Sequence, residues 1–157
     1  MVIREYQNED RESVVQCILE LQNLEVSHRP NYWANPESIK DEYLDHLLSQ
    51  IKEQGGKLFV AEVDQKVVGF VVVRIDTEES PCVDKKKVAY IPDLSVMGDY
   101  RNKGIGAELL KKAEGFAVGE GFSDIYLDVS VGNQAISLYK RSGYSEQSIK
   151  MGKKLGN

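Results

Sequence analysis

Residues 100–106, Tyr-Arg-Asn-Lys-Gly-Ile-Gly, lie between an apolar run, Ala89 to Val96, and a helix-type stripe formed by Ile105, Leu109, Leu110, Ala113 and Ala117. The stretch joins the end of an apolar strand to the start of an amphipathic helix, with two glycines at the junction. It also makes an anion site. The first turn of a helix carries backbone NH groups without intrahelical partners and the positive end of the macrodipole, so a phosphate there is hydrogen-bonded and electrostatically favoured. Gly104 and Gly106 have no Cβ to hold a ligand away, and Arg101 and Lys103 add positive charge, Arg101 with a planar fork suited to phosphate oxygens.

Two familiar phosphate loops fail on spacing. A P-loop needs Lys-Ser or Lys-Thr after its last glycine, and a dinucleotide fingerprint needs a third glycine where this chain has Leu109. What remains, Arg-x-x-Gly-x-Gly after a strand, resembles the pyrophosphate loop of the GNAT superfamily of acetyl-CoA-dependent N-acyltransferases. The segment Asn133 to Tyr139, followed by Gly143-Tyr144, is similar to that family's closing segment, a helix carrying Leu-Tyr and a Gly-aromatic turn. The resemblance implies an α/β fold, a mixed α+β sheet flanked by helices, with a mostly antiparallel centre and splayed parallel strands. It covers essentially all of residues 1–157 as a single domain.

The length is one domain's worth, and a domain near this size buries about 70% of its unfolded surface. With no apolar run of 18 residues and no signal-like N-terminus, the expectation is a soluble cytoplasmic protein without a membrane partner. The net charge of -5 argues against nucleic acid and suits a cationic acceptor, although the same charge also serves solubility. Cys17, at helical spacing from Val14 and Leu21, reads as a core residue, and neither Cys17 and Cys82 nor His28 and His46 have metal-site spacing.

Along the chain, Val2–Tyr6 reads as a strand and Asp10 as the cap of a helix reaching about Leu24. Residues Ser27–Ala34, with the only Trp, read as a loop with large amphipathic side chains, where Tyr32 and Trp33 are candidates to line an acceptor site. Asn35-Pro36 opens a second helix with Ile39, Tyr43, Leu47 and Ile51 on its apolar face, stopped at Gly55-Gly56. Leu58–Val63 and Val67–Ile75 form a hairpin, and Val71-Val72-Val73 indicates a strand covered on both faces. Residues Asp76–Lys87 read as a loop. Val88–Val96 resumes a strand in which Pro92 implies an edge, a bulge or a break in pairing, compatible with the family's bulged strand. Ile125–Val131 is a further strand, Asn133–Arg141 a short helix, and Tyr144–Leu155 a last strand or hairpin.

The resemblance also implies a chemistry. An amine with a pKa near ~10.4 is almost all ammonium at neutral pH, and freeing it costs roughly 4 to 5 kcal/mol. A carboxylate acting directly or through water can take that proton, with general-base help worth about 100- to 10,000-fold. Asp93 stands where several family members place a base, and Asp128, in Leu127-Asp128-Val129, resembles the acid of Leu-Glu-Val in protein N-terminal acetylases. Each has a plain structural alternative, as a solvated strand residue or as a hydrogen-bonded neighbour of the loop. Tyr139 sits where the family places a phenol near the cofactor sulfur, able to protonate the departing thiolate; its alternative is packing of a short helix.

Backbone NH groups at Leu94, Ser95 and Val96 are implied to bind the pantetheine arm and polarise the acetyl carbonyl. Arg101, Asn102, Lys103, Gly104, Ile105 and Gly106 are implied to bind the pyrophosphate. The family carries Asn seven residues before the tyrosine. Here Asn133 is six before Tyr139 and Gly132 takes the expected place, so Asn133 reaches the pantetheine only if the turn is shorter. The implied co-substrate is acetyl-CoA, with no metal, and the acceptor is an amine of a small molecule or a protein. A homodimer is left open. The main alternative is a GNAT-like module that holds an acyl-CoA for sensing without turnover; a nucleotide-binding protein lacks residues for phosphoryl transfer. Acceptor choice is expected in residues 27–34 and 77–87.

Overall fold

The computed structural model describes residues 1–84 and 87–156. Lys85 and Lys86 of the expected 77–87 loop, and Asn157 at the end of the expected domain, lie outside the described residues. The strands are β1 (Val2–Glu5), β2 (Gly56–Val63), β3 (Lys66–Thr77), β4 (Lys87–Ile91), β5 (Leu94–Val96) and β6 (Ile125–Leu127). The α-helices are α1 (Arg11–His28), α2 (Pro36–Gln54), α3 (Ile105–Gly119) and α4 (Ala135–Arg141).

Among the described residues one mixed sheet runs β1-β2-β3-β4-β6, with β5 also paired to β3. All pairings are antiparallel except β4 with β6, which are parallel over Ala89–Ile91 and Ile125–Leu127. The hairpin between β2 and β3 turns at Asp64 and Gln65, both at positive φ, a conformation that matches the twist of the strands it joins.

Alternation along β2 and β3 divides the core in two. Leu58, Val60, Phe70 and Val72 pack with Val14, Cys17 and Ile18 of α1 and Leu44 and Leu47 of α2. Phe59, Ala61, Val71 and Val73 pack with Ile105, Leu109, Leu110 and Ala113 of α3 on the opposite face. The run Val71-Val72-Val73 is therefore covered on both sides, as its composition predicts.

Helix α1 runs past the expected Leu24 to His28, because nothing in Glu25-Val26-Ser27-His28 breaks a helix before Arg29, which precedes Pro30 and leaves the helical region. Asp10 does not cap α1 with its side chain. Its carboxylate accepts from the Gln7 amide at 2.8 Å and pairs with Arg4 at 2.7 Å. Asn35 caps α2 as expected, its side chain accepting from Glu37 and Ser38.

Two expected strands are corrected. The strand placed at Ile125–Val131 ends at Leu127, with Val131 94% exposed and without a partner strand to cover it. The expected last strand, Tyr144–Leu155, is not formed: residues 144–156 have no regular secondary structure, and Ile149, Met151 and Leu155 are exposed. Two apolar residues spaced two apart among Lys, Ser and Gly do not bury enough surface to hold a strand on a three-residue edge.

Gly69 sets how closely β5 approaches β3. A Cβ there would lie 2.7 Å from the Ser95 carbonyl oxygen and 3.3 Å from a Leu109 methyl. Gly69→Ala is expected to destabilise the protein by about 2 kcal/mol through overpacking, a fall of roughly 4–8 °C in thermal midpoint. An unchanged melting curve would show that β5 can yield freely.

Candidate functional site

Proline 92 has no NH to donate, and the ladder breaks there. Between the pairs Arg74–Tyr90 and Val71–Leu94, two residues of β3 face three residues, Ile91, Pro92 and Asp93, of the opposing strand. The Val72 NH donates to the Asp93 carbonyl at 2.9 Å and the Met97 NH to the Val68 carbonyl at 2.8 Å. In an antiparallel ladder those two bonds turn the backbone groups of Ser95 toward Phe70, and those of Leu94 and Val96 away from β3. Beyond Ile91 the parallel neighbour β6 has already ended, so Leu94 and Val96 face a gap.

Of the three amides expected to serve a ligand, those of Leu94 and Val96 are thus available, while that of Ser95 belongs to the sheet. The Ser95 hydroxyl donates to the Cys17 carbonyl at 3.3 Å. Cys17 itself is fully buried, and burial pushes its thiol up to about 12, which keeps it an inert core residue.

The loop leading to α3 uses its cations to hold itself together. Arg101 Nε donates to the Val96 carbonyl at 2.8 Å, and its Nη2 lies 3.5 Å from a Glu20 oxygen that also accepts from the Gly98 NH. Lys103 donates to the Asp99 carbonyl at 2.9 Å and lies over the Tyr100 ring. Asn102 and Gly104 are both left-handed, and Gly104, as the N-cap, brings no side chain to the first turn of α3. The amide groups of Ile105, Gly106 and Ala107 at the helix start are the donors left for an anion.

The two glycines have different jobs. A Cβ on Gly104 would meet nothing within 4 Å, leaving the loop open on that side, and its φ of 81° is what favours glycine. On Gly106 a Cβ would meet Leu138 at 3.1 Å and Leu94 at 3.7 Å. Its absence lets α3 pack against α4 and β5, rather than clearing room for a ligand as the sequence suggests.

Asp93 is buried, 9% exposed, and its Oδ2 accepts a 2.7 Å hydrogen bond from the Tyr43 hydroxyl of α2. Burial pushes the carboxyl up to about 6; the bond from Tyr43 and the charge of Arg74 pull the other way, and Glu25 adds to the rise. Tyr139, equally buried, packs against Tyr144 with ring centroids 5.9 Å apart. Burial first, then the charges of Asp93 and Glu25, raises its hydroxyl to about 12. Tyr139 therefore keeps its proton at neutral pH, and its hydroxyl has no hydrogen-bond partner among the described residues.

Asp93, tied to α2, and Tyr139, carried by α4, lie within electrostatic range of each other, near enough for the Asp93 charge to raise the phenol. Asp128 is elsewhere. It is exposed at the end of β6 and accepts from the Tyr90 hydroxyl at 2.8 Å, outside the buried pair. Asn133 lies one residue before the α4 N-cap, Gln134, its Oδ1 accepting from the Ala135 NH at 2.8 Å, while its Nδ2 lies 3.5 Å from Glu25. Both ends of that side chain are engaged within the protein.

Glu25 also accepts from Ser130 at 2.8 Å, joining the last turn of α1 to the turn before α4. Tyr32 and Trp33 stack edge to face at 4.8 Å, the Arg29 guanidinium covers the Tyr32 ring at 3.6 Å, and both aromatic side chains are exposed.

Tyr43 is the residue that sequence reasoning missed. In an aliphatic stripe it reads as packing, and the available signal was its hydroxyl, since a phenol set among core positions needs a polar partner.

A raised carboxyl has a thermodynamic sign. Asp93 goes from an ordinary 3.8 to about 6 on folding, so between these values the folded state binds more protons than the unfolded one, and stability falls as pH rises through that window. Above it the ionised group costs about 3 kcal/mol. Asp93→Asn keeps an oxygen for Tyr43 and removes the charge, and should melt higher than the parent at pH 8 but not near pH 4. Equal melting at pH 8 would place Asp93 in an ordinary solvated environment.

The chain matches the Acetyltransferase (GNAT) family over residues 18–144. It is similar to an N-alpha-acetyltransferase of Sulfurisphaera tokodaii, 36% identical over 68% of this chain and 65% of that protein. An N-alpha-acetyltransferase of Saccharolobus solfataricus is 31% identical over 70% of this chain and 66% of its own length. The chain thus spans just under two thirds of the length of these relatives. Among solved structures, a putative acetyl transferase from Pyrococcus furiosus superposes with a TM-score of 0.75 at 26% identity, over 98% of this chain and 99% of that one.

Proposed function

Because the chain belongs to the GNAT family of acetyltransferases, we propose that it transfers an acetyl group from acetyl-CoA to a primary amine by direct attack in a ternary complex, and that the preferred acceptor is the α-amine of a polypeptide. The observation that carries this reading is the buried carboxyl of Asp93, raised to about 6 and within electrostatic range of Tyr139, next to the gap where β5 leaves its parallel neighbour.

The donors suit the co-substrate. The uncapped first turn of α3 offers amides from Ile105, Gly106 and Ala107 to a pyrophosphate, and Gly104 keeps that approach open. Arg101 and Lys103 shape the loop and add positive charge, with Asn102 in the left-handed bend between them. The Leu94 and Val96 backbone groups face the gap beside β5, where a pantetheine arm could add alongside the strand, with the Val96 carbonyl already taken by Arg101. Acetyl-CoA supplies the activated acyl carbonyl and a thiolate leaving group.

The residues of the chain then move two protons. Asp93 accepts one from the acceptor ammonium, which frees the nitrogen lone pair for the carbonyl carbon. Tyr139 relays the other: its hydroxyl proton goes to the sulfur as the carbon–sulfur bond breaks, and the nitrogen, which sheds its second proton as the amide forms, restores that hydroxyl.

Magnitudes favour an α-amine. A base at about 6 must take a proton from a group near ~8 in an α-ammonium or ~10.4 in a lysine-type ammonium, and each unit of mismatch costs about 1.4 kcal/mol. The difference, roughly 3 kcal/mol, is a factor on the order of 100 in rate. The N-alpha-acetyltransferase names of the archaeal relatives support the same choice. Trp33, and Tyr32 beneath Arg29, are assigned to the acceptor side, while Asp128 and Asn133 are assigned structural roles at the ends of β6 and α4.

The test is release of free thiol from acetyl-CoA with a panel of peptides, lysine-blocked peptides, polyamines and aminoglycosides. Peptides with free N-termini should be acetylated fastest, and an intact thioester with every amine would show an acyl-CoA-binding module instead. Within an active enzyme, Tyr139→Phe keeps the ring packing and removes the proton. It should lower turnover by about 100-fold with acetyl-CoA affinity nearly intact. Parental turnover in that variant would return Tyr139 to the core.

A further inference from the structure

We propose that Tyr43 is a positioning residue for the reaction: its hydroxyl holds Oδ2 of Asp93, so that Oδ1 alone is presented to the acceptor nitrogen. The inference rests on the reading of Asp93 as the base.

The bond from Tyr43 is the one hydrogen bond that the Asp93 carboxylate accepts among the described residues. Asp93 follows Pro92 at the end of the bulge, where its carbonyl accepts from the Val72 NH but the ladder bonds nothing to its side chain, so without a partner the carboxylate has two chemically equivalent oxygens. A phenol donor at 2.7 Å fixes the plane of the group and makes the two oxygens different. Oδ2 is occupied, and Oδ1 keeps its lone pairs. When a proton leaves the ammonium, the N–H bond breaks, the nitrogen keeps the electron pair, and the proton forms an O–H bond with Oδ1. Tyr43 stays a donor throughout, because burial and the neighbouring Asp93 raise its hydroxyl far above neutral pH.

Tyr43 stands on α2, in the face packed against β3, and is half-buried there with its ring beside His46. The other charged or titratable groups facing Asp93 come from separate elements: Arg74 from β3, Glu25 from α1 and Tyr139 from α4. Arg74 is engaged elsewhere, with Asp76 at 2.6 Å and Gln50 at 2.8 Å. Glu25 is held by Ser130. Tyr43 is therefore the one neighbour bonded to the carboxylate, and the orientation of the base is set by a helix that packs on the sheet independently of the acetyl-CoA loop.

Turnover at saturating acetyl-CoA and peptide amine, from about pH 5 to 8, tests this in the parent, Tyr43→Phe, Asp93→Asn and the double variant. In the parent, activity should fall as pH drops through about 6. Tyr43→Phe removes a hydrogen bond that favours the ionised form, so its midpoint should move up by about one pH unit and its turnover at pH 7 should fall roughly tenfold, with both Michaelis constants within about twofold of the parent. In Asp93→Asn the acid limb should disappear, and adding Tyr43→Phe to it should change neither rate nor profile.

A merely structural Tyr43 would give a different result, a lower thermal midpoint with the parental acid limb and turnover, and that outcome overturns the proposal while leaving the base reading intact. Asp93→Asn with the parental acid limb would overturn both together. A thermal melt of each variant confirms that folded protein is being compared.

Discussion

Everything at the candidate site depends on one missing hydrogen-bond donor. Pro92 cannot take part in the ladder with β3, and the strand that enters as β4 leaves as β5 with an extra residue. The bulge shifts the pairing register by one residue before Asp93, whose carbonyl accepts from the Val72 NH while its carboxyl meets a phenol from α2. It also redirects β5, whose only ladder partner among the described residues is β3, while β6 stays with β4 for three residues and stops. A gap between strands exposes backbone groups that a flat sheet would have consumed, and the helix that follows the gap begins with amides that no side chain caps. The unpaired backbone groups of β5 and the buried carboxylate of Asp93 thus share one structural cause.

Much of this was legible in the sequence, because the features involved are local. The glycines after an apolar strand, the proline within it, the Asn-Pro cap of α2 and the valine run of β3 each act over a few residues, and the structure has each where its residue type predicts. The tasks of individual side chains were less legible. Arg101 and Lys103 look like ligand cations, but their bonds go to the Val96 and Asp99 carbonyls. Gly106 looks like clearance for a phosphate, but its missing Cβ makes room for Leu138 and Leu94. These are contacts between segments far apart in the chain, and spacing within one segment carries no signal of them.

The edges of the sheet were the least legible part. A run such as Ile125–Val131 has strand-forming residues throughout, but whether it pairs depends on what lies beside it, and here Asp128 is drawn to Tyr90 while Val131 turns to solvent. Tyr43 illustrates the complementary case. Its position in a helical stripe is correctly read as packing, and its ring does pack, but its hydroxyl carries the second role that only the fold reveals.

Burying a carboxylate beside a tyrosine at 9% exposure is a poor choice for stability alone, since an amide of the same shape would avoid the desolvation of the charge. The surroundings reduce that cost without abolishing it. One phenol donates, Arg74 contributes charge at a distance, and Glu25 works against both, so the group settles between an ordinary carboxylate and a neutral acid. A stronger partner, such as a guanidinium bonded directly to both oxygens, would stabilise the fold further and drive the carboxyl down until it no longer attracted a proton from an ammonium. A fully apolar cage would push it up until it stayed protonated at neutral pH. A single neutral donor from Tyr43 lies between these limits, and a carboxyl near 6 is what that balance produces.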